Sequence, residues 1–136
     1  MQLIDTLRKR GFRITASRKA LCAVLEAAQG PLGVPELLDR MTQKGVTPHK
    51  TTLYRDVATF VGEGFIEEIR LLDGVLRYEL SDDHHHHAVC RNCGVVAELE
   101  ADDEDFEKRE ALVAKKSGFT HITHALVYYG FCGACR

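Results

Sequence analysis

Apolar residues recur at helical spacing through the first sixty positions. They then switch to a two-residue alternation, so helices give way to strands near position 65. Residues 3–10 fit a short helix ended by Gly11. Thr15 suits the N-cap of a second helix whose Ala20, Leu21, Val24, Leu25 and Ala28 keep helical spacing, and Gly30-Pro31 stops it. A third helix fits residues 35–44: Pro35 belongs in its first turn, Leu37, Leu38 and Met41 face inward, and Gly45 closes it. A fourth fits residues 50–63. Its apolar set is Leu53, Val57, Phe60 and Val61, which leaves Thr51, Thr52, Arg55 and Thr59 on the opposite, exposed face. Residues 65–71 and 75–80 then alternate on either side of Asp73-Gly74, a hairpin signature.

Short helices followed by a hairpin spell a winged helix-turn-helix, with the fourth helix in the DNA major groove and the hairpin as wing. The competing reading is a small packing unit without a ligand.

The pattern changes again near residues 81–87. A strand at Ala88 and Val89 runs into a Cys-x-x-Cys turn, followed by a strand over 95–99, an acidic loop and a helix over about 103–116. Asp102, Asp103, Glu104 and Asp105 suit that helix's N-terminus, where the macrodipole favours anions. Strand structure is expected from 119 to 129, with His124, Leu126 and Tyr128 on one face and Ala125, Val127 and Tyr129 on the other. Three strands and one helix are too few to bury a face alone, so pairing with a second copy into a homodimer is expected.

The 136 residues are 45% apolar, which allows one domain or two small ones and offers no membrane-spanning run. Asp5 and Arg8-Lys9-Arg10 interrupt any signal-peptide core, so a cytoplasmic location, where thiols stay reduced, is expected. The net charge of −2 conceals an asymmetry: residues 1–80 hold 12 Lys/Arg against 10 Asp/Glu, and residues 81–136 hold 6 against 10. Six basic groups and one acid fall within the first twenty residues, which fits a phosphate-facing surface or a solvated helix face.

Cysteine and histidine change the picture most. Cys90/Cys93 and Cys132/Cys135 form two close pairs separated by 38 residues. Four thiolates so arranged fit a tetrahedral zinc cage that would clip the first strand of the second half to the chain's last residues, with a redox dithiol as the alternative. Cys22, among apolar neighbours on a helix, is a core thiol. His84 to His87 form an internal run in which alternate rings face opposite ways, so His84/His86 and His85/His87 fit two sites better than one. Glu79, Glu98, Glu107 and His124 are partners by position along the chain. Imidazole with carboxylate suits zinc, iron(II) or manganese.

In their order and joint spacing these residues resemble the ferric uptake regulator family of bacterial metal-responsive repressors. The likeness rests on Gly11-Phe12-Arg13-Ile14-Thr15 with Arg18; Thr51-Thr52-Leu53-Tyr54-Arg55; Gly64-Phe65-Ile66; Arg77-Tyr78-Glu79-Leu80; the histidine run; Cys90-x-x-Cys93-Gly94; and His124 with Cys132-x-x-Cys135. The resemblance implies an α+β chain: a winged-helix DNA-binding domain over 1–80, then an α/β dimerisation domain with a structural zinc over 81–136. It implies a regulatory hinge site of Glu79, His85, His87 and Glu98, and a second site of His84, His86, Glu107 and His124, with Asp105 competing for the helix position.

It implies no enzyme but a repressor of metal-homeostasis genes, activated by Zn2+ or Fe2+ (Mn2+ also fits) and bound to a palindromic AT-rich operator. Arg13, Arg18 and Lys50 would hold phosphates, and Thr51, Thr52, Tyr54 and Arg55 would meet bases or the adjacent backbone. Pro31-Leu32-Gly33-Val34 departs from iron- and peroxide-sensing relatives, which place a histidine there; the sensed metal, and a peroxide-sensing variant, stay open. The rivals from other classes are a zinc-dependent hydrolase, which lacks a His-Glu-x-x-His run here, and a metal-storage protein.

Overall fold

The computed structural model describes residues 2–81, 85–100, 103–122 and 124–135, with the side chains of His85 and Asp103 outside that description. The chain divides into two compact units, Met1–Asp83 and His84–Arg136. It is α+β, and no helix among the described residues is long and apolar enough to cross a membrane.

In the first unit, α1 (Leu3–Lys9), α2 (Ala16–Ala27), α3 (Val34–Gln43) and α4 (Lys50–Gly62) precede a hairpin of β1 (Ile66–Arg70) and β2 (Leu76–Leu80). Thr15 caps α2 as expected: its hydroxyl accepts the Arg18 N–H at 3.1 Å. Gly45, with φ +86°, takes the left-handed conformation that ends α3 and turns the chain toward α4. The apolar faces meet in one core in which Leu7, Leu21, Leu37, Met41, Leu53 and Phe60 are fully buried. Phe65 meets both Phe12 and Phe60 edge-on, fastening the start of the hairpin to the helices.

The hairpin pairs Ile66 with Leu80 through to Arg70 with Leu76. Its turn is clasped by two bonds from the Arg77 guanidinium to the Asp73 carboxylate, 3.0 and 2.7 Å. Leu32 joins β2 by reciprocal backbone bonds with Tyr78, so the link between α2 and α3 is stitched to the wing. This is a winged helix-turn-helix.

The second unit is a sheet of order β4-β3-β5 with one helix. β3 (His85–Cys90) pairs antiparallel with β4 (Val96–Glu100) and parallel with β5 (Val127–Gly130); α5 (Asp103–Ser117) lies between β4 and β5 in sequence. β3 is longer than the two residues expected and takes in His85, His86 and His87.

The last strand is shorter than expected, four residues rather than the run from 119 to 129. Gly118 at φ +74° and His121 at φ +54° turn the chain out of extended geometry, and β3 offers β5 partners only from His87 to Cys90. His124 and Leu126 therefore precede the strand, and no strand face unites them with Tyr128.

Candidate metal centres and nucleic-acid surface

Local turns assemble the four cysteines. Cys90 ends β3, and the next turn closes with the Gly94 N–H on the Cys90 carbonyl at 3.0 Å, Gly94 adopting φ +78°. A second turn places Cys135 after Cys132, with its N–H on the Cys132 carbonyl at 3.0 Å. The parallel β3–β5 pairing brings the two turns together, so that all four sulfurs lie within 4.8 Å of one another. Cys93 Sγ and Cys132 Sγ are 3.7 Å apart. Adjacent sulfurs on a tetrahedral zinc with bonds of ~2.3 Å would be roughly 3.8 Å apart, so the donors fit that ion.

The surroundings favour thiolate at one member. Backbone N–H groups, from Cys93 first and then Cys132, lower the Cys90 thiol from 9.0 to about 6. Cys132 N–H lies 3.3 Å from Cys90 Sγ. The Asn92 amide, 3.3 Å from Cys135 Sγ, acts in the same sense there but is outweighed by the neighbouring sulfurs, which raise Cys135 to about 11. Asn92 is a contributor that cysteine spacing did not single out. Cys22 lies apart from this cage, buried, its thiol pushed up to about 12 by desolvation.

On β3, successive side chains alternate. His87 stands opposite Glu98 of β4, a ring nitrogen and a carboxylate oxygen within 4.8 Å. Glu79 is a buried carboxylate on β2 of the first unit. His84 and the side chain of His85 lie outside the described residues.

His86 faces α5. Its Nε2 is 3.4 Å from His124 Nε2, and Phe106 stacks on the His124 ring at 4.4 Å between centroids and 14° between planes. The acid that meets His124 is Glu110, whose Oε1 lies 2.6 Å from Nδ1. Glu107 and Asp105, the two carboxylates expected at this place, are both exposed. Glu107 and Glu110 lie three residues apart on one helix side, so spacing by itself could not choose between them.

On α4, Lys50, Thr51, Thr52, Tyr54 and Arg55 are exposed, with Leu53, Val57 and Phe60 buried behind them. Arg13 is exposed too. Arg18 differs from the expected phosphate contact. Its Nε donates to Asp56 at 3.0 Å and its Nη1 to the Arg13 carbonyl at 3.0 Å, and its guanidinium lies 5.8 Å from the Phe12 ring centre. Asp56 is buried within the apolar stripe of α4. Arg18 thus fixes α4 against α2.

Residues 9–129 match the model of the ferric uptake regulator family. A ferric uptake regulation protein of Bordetella parapertussis is 33% identical over 132 residues, covering 96% of this chain and 94% of the relative. A zinc uptake regulation protein of Mycobacterium tuberculosis is also 33% identical, over 127 residues, covering 93% and 96%. A solved ferric uptake regulator of Pseudomonas aeruginosa with manganese superposes with a TM-score of 0.75 at 25% identity, covering 98% and 99%.

Proposed function

The chain belongs to the ferric uptake regulator family of metal-responsive regulators, not to an enzyme class, and on that footing we propose that it is a cytoplasmic, dimeric, metal-dependent repressor of metal-homeostasis genes. One observation carries the reading: a single chain presents an exposed Thr51/Thr52/Tyr54/Arg55 helix face and, separately, histidine–carboxylate groups that no thiolate cage uses.

The cysteine quartet holds zinc as a permanent clamp. Glu79, His85, His87 and Glu98 hold the sensed ion, and His84, His86, His124 and Glu107 form a second site. Glu79 offers a buried carboxylate, a donor type that suits a divalent cation. The sensed ion acts by binding one arrangement of the two reading units better than the others, and so enriches it. In that arrangement two α4 helices of a dimer meet half-sites ~34 Å apart on a palindromic AT-rich operator. Arg13 and Lys50 hold phosphates, and Thr51, Thr52, Tyr54 and Arg55 meet bases or the adjacent backbone.

The relatives' names span iron and zinc, and the solved neighbour was obtained with manganese; for this chain Zn2+ and Fe2+ lead.

The test is DNA binding by fluorescence anisotropy, on protein whose cysteine zinc is filled, titrated with Zn2+, Fe2+ and Mn2+ at fixed salt. Affinity should rise on titration with one of these ions and return to its starting value in the His87→Ala variant. Affinity that is the same with and without added ion would remove the sensing role. Stoichiometric ion uptake with no DNA binding would instead make the chain a storage protein.

A further inference from the structure

His86 of β3 and His124, just ahead of β5, bring their Nε2 atoms to 3.4 Å. Neighbouring donors on a tetrahedral ion with nitrogen bonds of ~2.0–2.1 Å are separated by roughly 3.3 Å, so the pair is spaced for one shared cation. Phe106 fixes both rings, stacked on His124 and edge-on to His86 at 4.6 Å and 72°. One turn along α5, Glu110 reaches the other nitrogen of His124, Nδ1, at 2.6 Å.

A neutral imidazole has one N–H and one lone pair, on opposite sides of the ring. A carboxylate only accepts, so the hydrogen bond to Glu110 puts the N–H on Nδ1. The lone pair is then on Nε2, the atom facing His86.

We infer that Glu110 is a positioning residue for the second metal site: it holds His124 in the Nδ1–H tautomer, making Nε2 the atom that binds a divalent cation, and is not itself a ligand. The inference rests on the second-site reading above. Glu107, one turn earlier and exposed, stays the carboxylate proposed as ligand. Glu110 supplies what a carboxylate behind a ligating histidine supplies elsewhere: a fixed ring orientation and a more basic donor atom.

Two measurements on the full chain, with its cysteine zinc in place, decide this. Long-range 1H–15N correlation of His124 before any further metal is added reads the tautomer directly. Nδ1–H is expected in the parent and in Glu110→Gln, whose side-chain oxygen still accepts, and a shift toward Nε2–H is expected in Glu110→Ala. Cobalt(II) titration followed by absorption reads the site. Glu110→Ala should weaken cobalt binding roughly 10–100-fold, Glu110→Gln should stay within a few-fold of the parent, and Glu107→Ala should weaken cobalt without moving the His124 tautomer.

An unchanged tautomer in Glu110→Ala overturns the positioning role. Cobalt lost as fully in Glu110→Gln as in Glu110→Ala overturns it in another way, because Glu110 is then a ligand. Parent-like cobalt binding in His124→Ala defeats the second-site reading itself, and the inference with it; the tautomer spectra tell that failure from the first.

Discussion

Arg55 and Arg18 carry the same charge and have different work, because their neighbours differ. Arg55 is exposed on α4, where its backbone carbonyl accepts the Thr59 hydroxyl at 2.9 Å. Arg55→Ala should therefore leave the melting temperature unchanged and weaken operator binding by about 1–3 kcal/mol in an anisotropy titration. Arg18 is spent inside the unit, bonded to a buried Asp56 and a backbone carbonyl. Asp56→Ala leaves Arg18 without its charged partner. Loss of one member of a fully buried pair costs about 3–5 kcal/mol; with the Arg18 side chain 20% exposed, about 2 kcal/mol is expected here, read as a lower urea midpoint. Apolar periodicity shows where α4 is buried but not that one buried position is an acid with a cation waiting on α2. That pairing is a tertiary fact, invisible to a one-dimensional pattern.

Among the elements, those governed by local rules were legible: the Thr15 cap, the Asp73-Gly74 turn and the inward face of α4 follow from a few adjacent residues. The cysteine quartet was legible too, since a Cys-x-x-Cys turn constrains both sulfurs locally. Two features were not. The long final strand failed because a strand persists only where a neighbour offers a ladder, and β3 offers four residues of it. Which acid of α5 meets His124 depends on where the helix sits against the sheet, and the sequence carries no mark of that.

β5 depends on the same cage, being joined by residues 130–135 to Cys132 and Cys135. Stripping the cysteine zinc with a strong chelator, or replacing Cys132 and Cys135 with Ser, should expose the Tyr128 and Gly130 amides, which face β3, to rapid hydrogen exchange. Amides in α2 and α4 should keep their protection. Equal loss in both units would mean the clamp supports the whole chain.

For the whole molecule, the distribution of apolar surface is the main clue. Nineteen of the 21 buried apolar residues belong to the first unit; the second buries only Val89 and Cys90 among those described. Conversely, eight of the eleven exposed large apolar residues lie in the second, among them Leu112, Val113, Phe119 and Phe131. A unit with so little interior of its own needs another surface to cover it, and a second copy is the occupant proposed above. Leu112→Glu with Val113→Glu should convert the dimer to a monomer in sedimentation velocity while the first unit's helices persist by circular dichroism; an unaltered dimer would place the interface elsewhere.

The siting of Cys22 gives the molecule a built-in gauge of its own condition. An alkylating reagent followed by mass measurement should add nothing quickly to protein with a filled cage and four adducts once the cage is emptied. The fifth adduct should appear only when the first unit itself comes apart. A single spectrum of mass additions then separates loss of the clamp from collapse of the reading head, two injuries that a drop in DNA affinity would report alike.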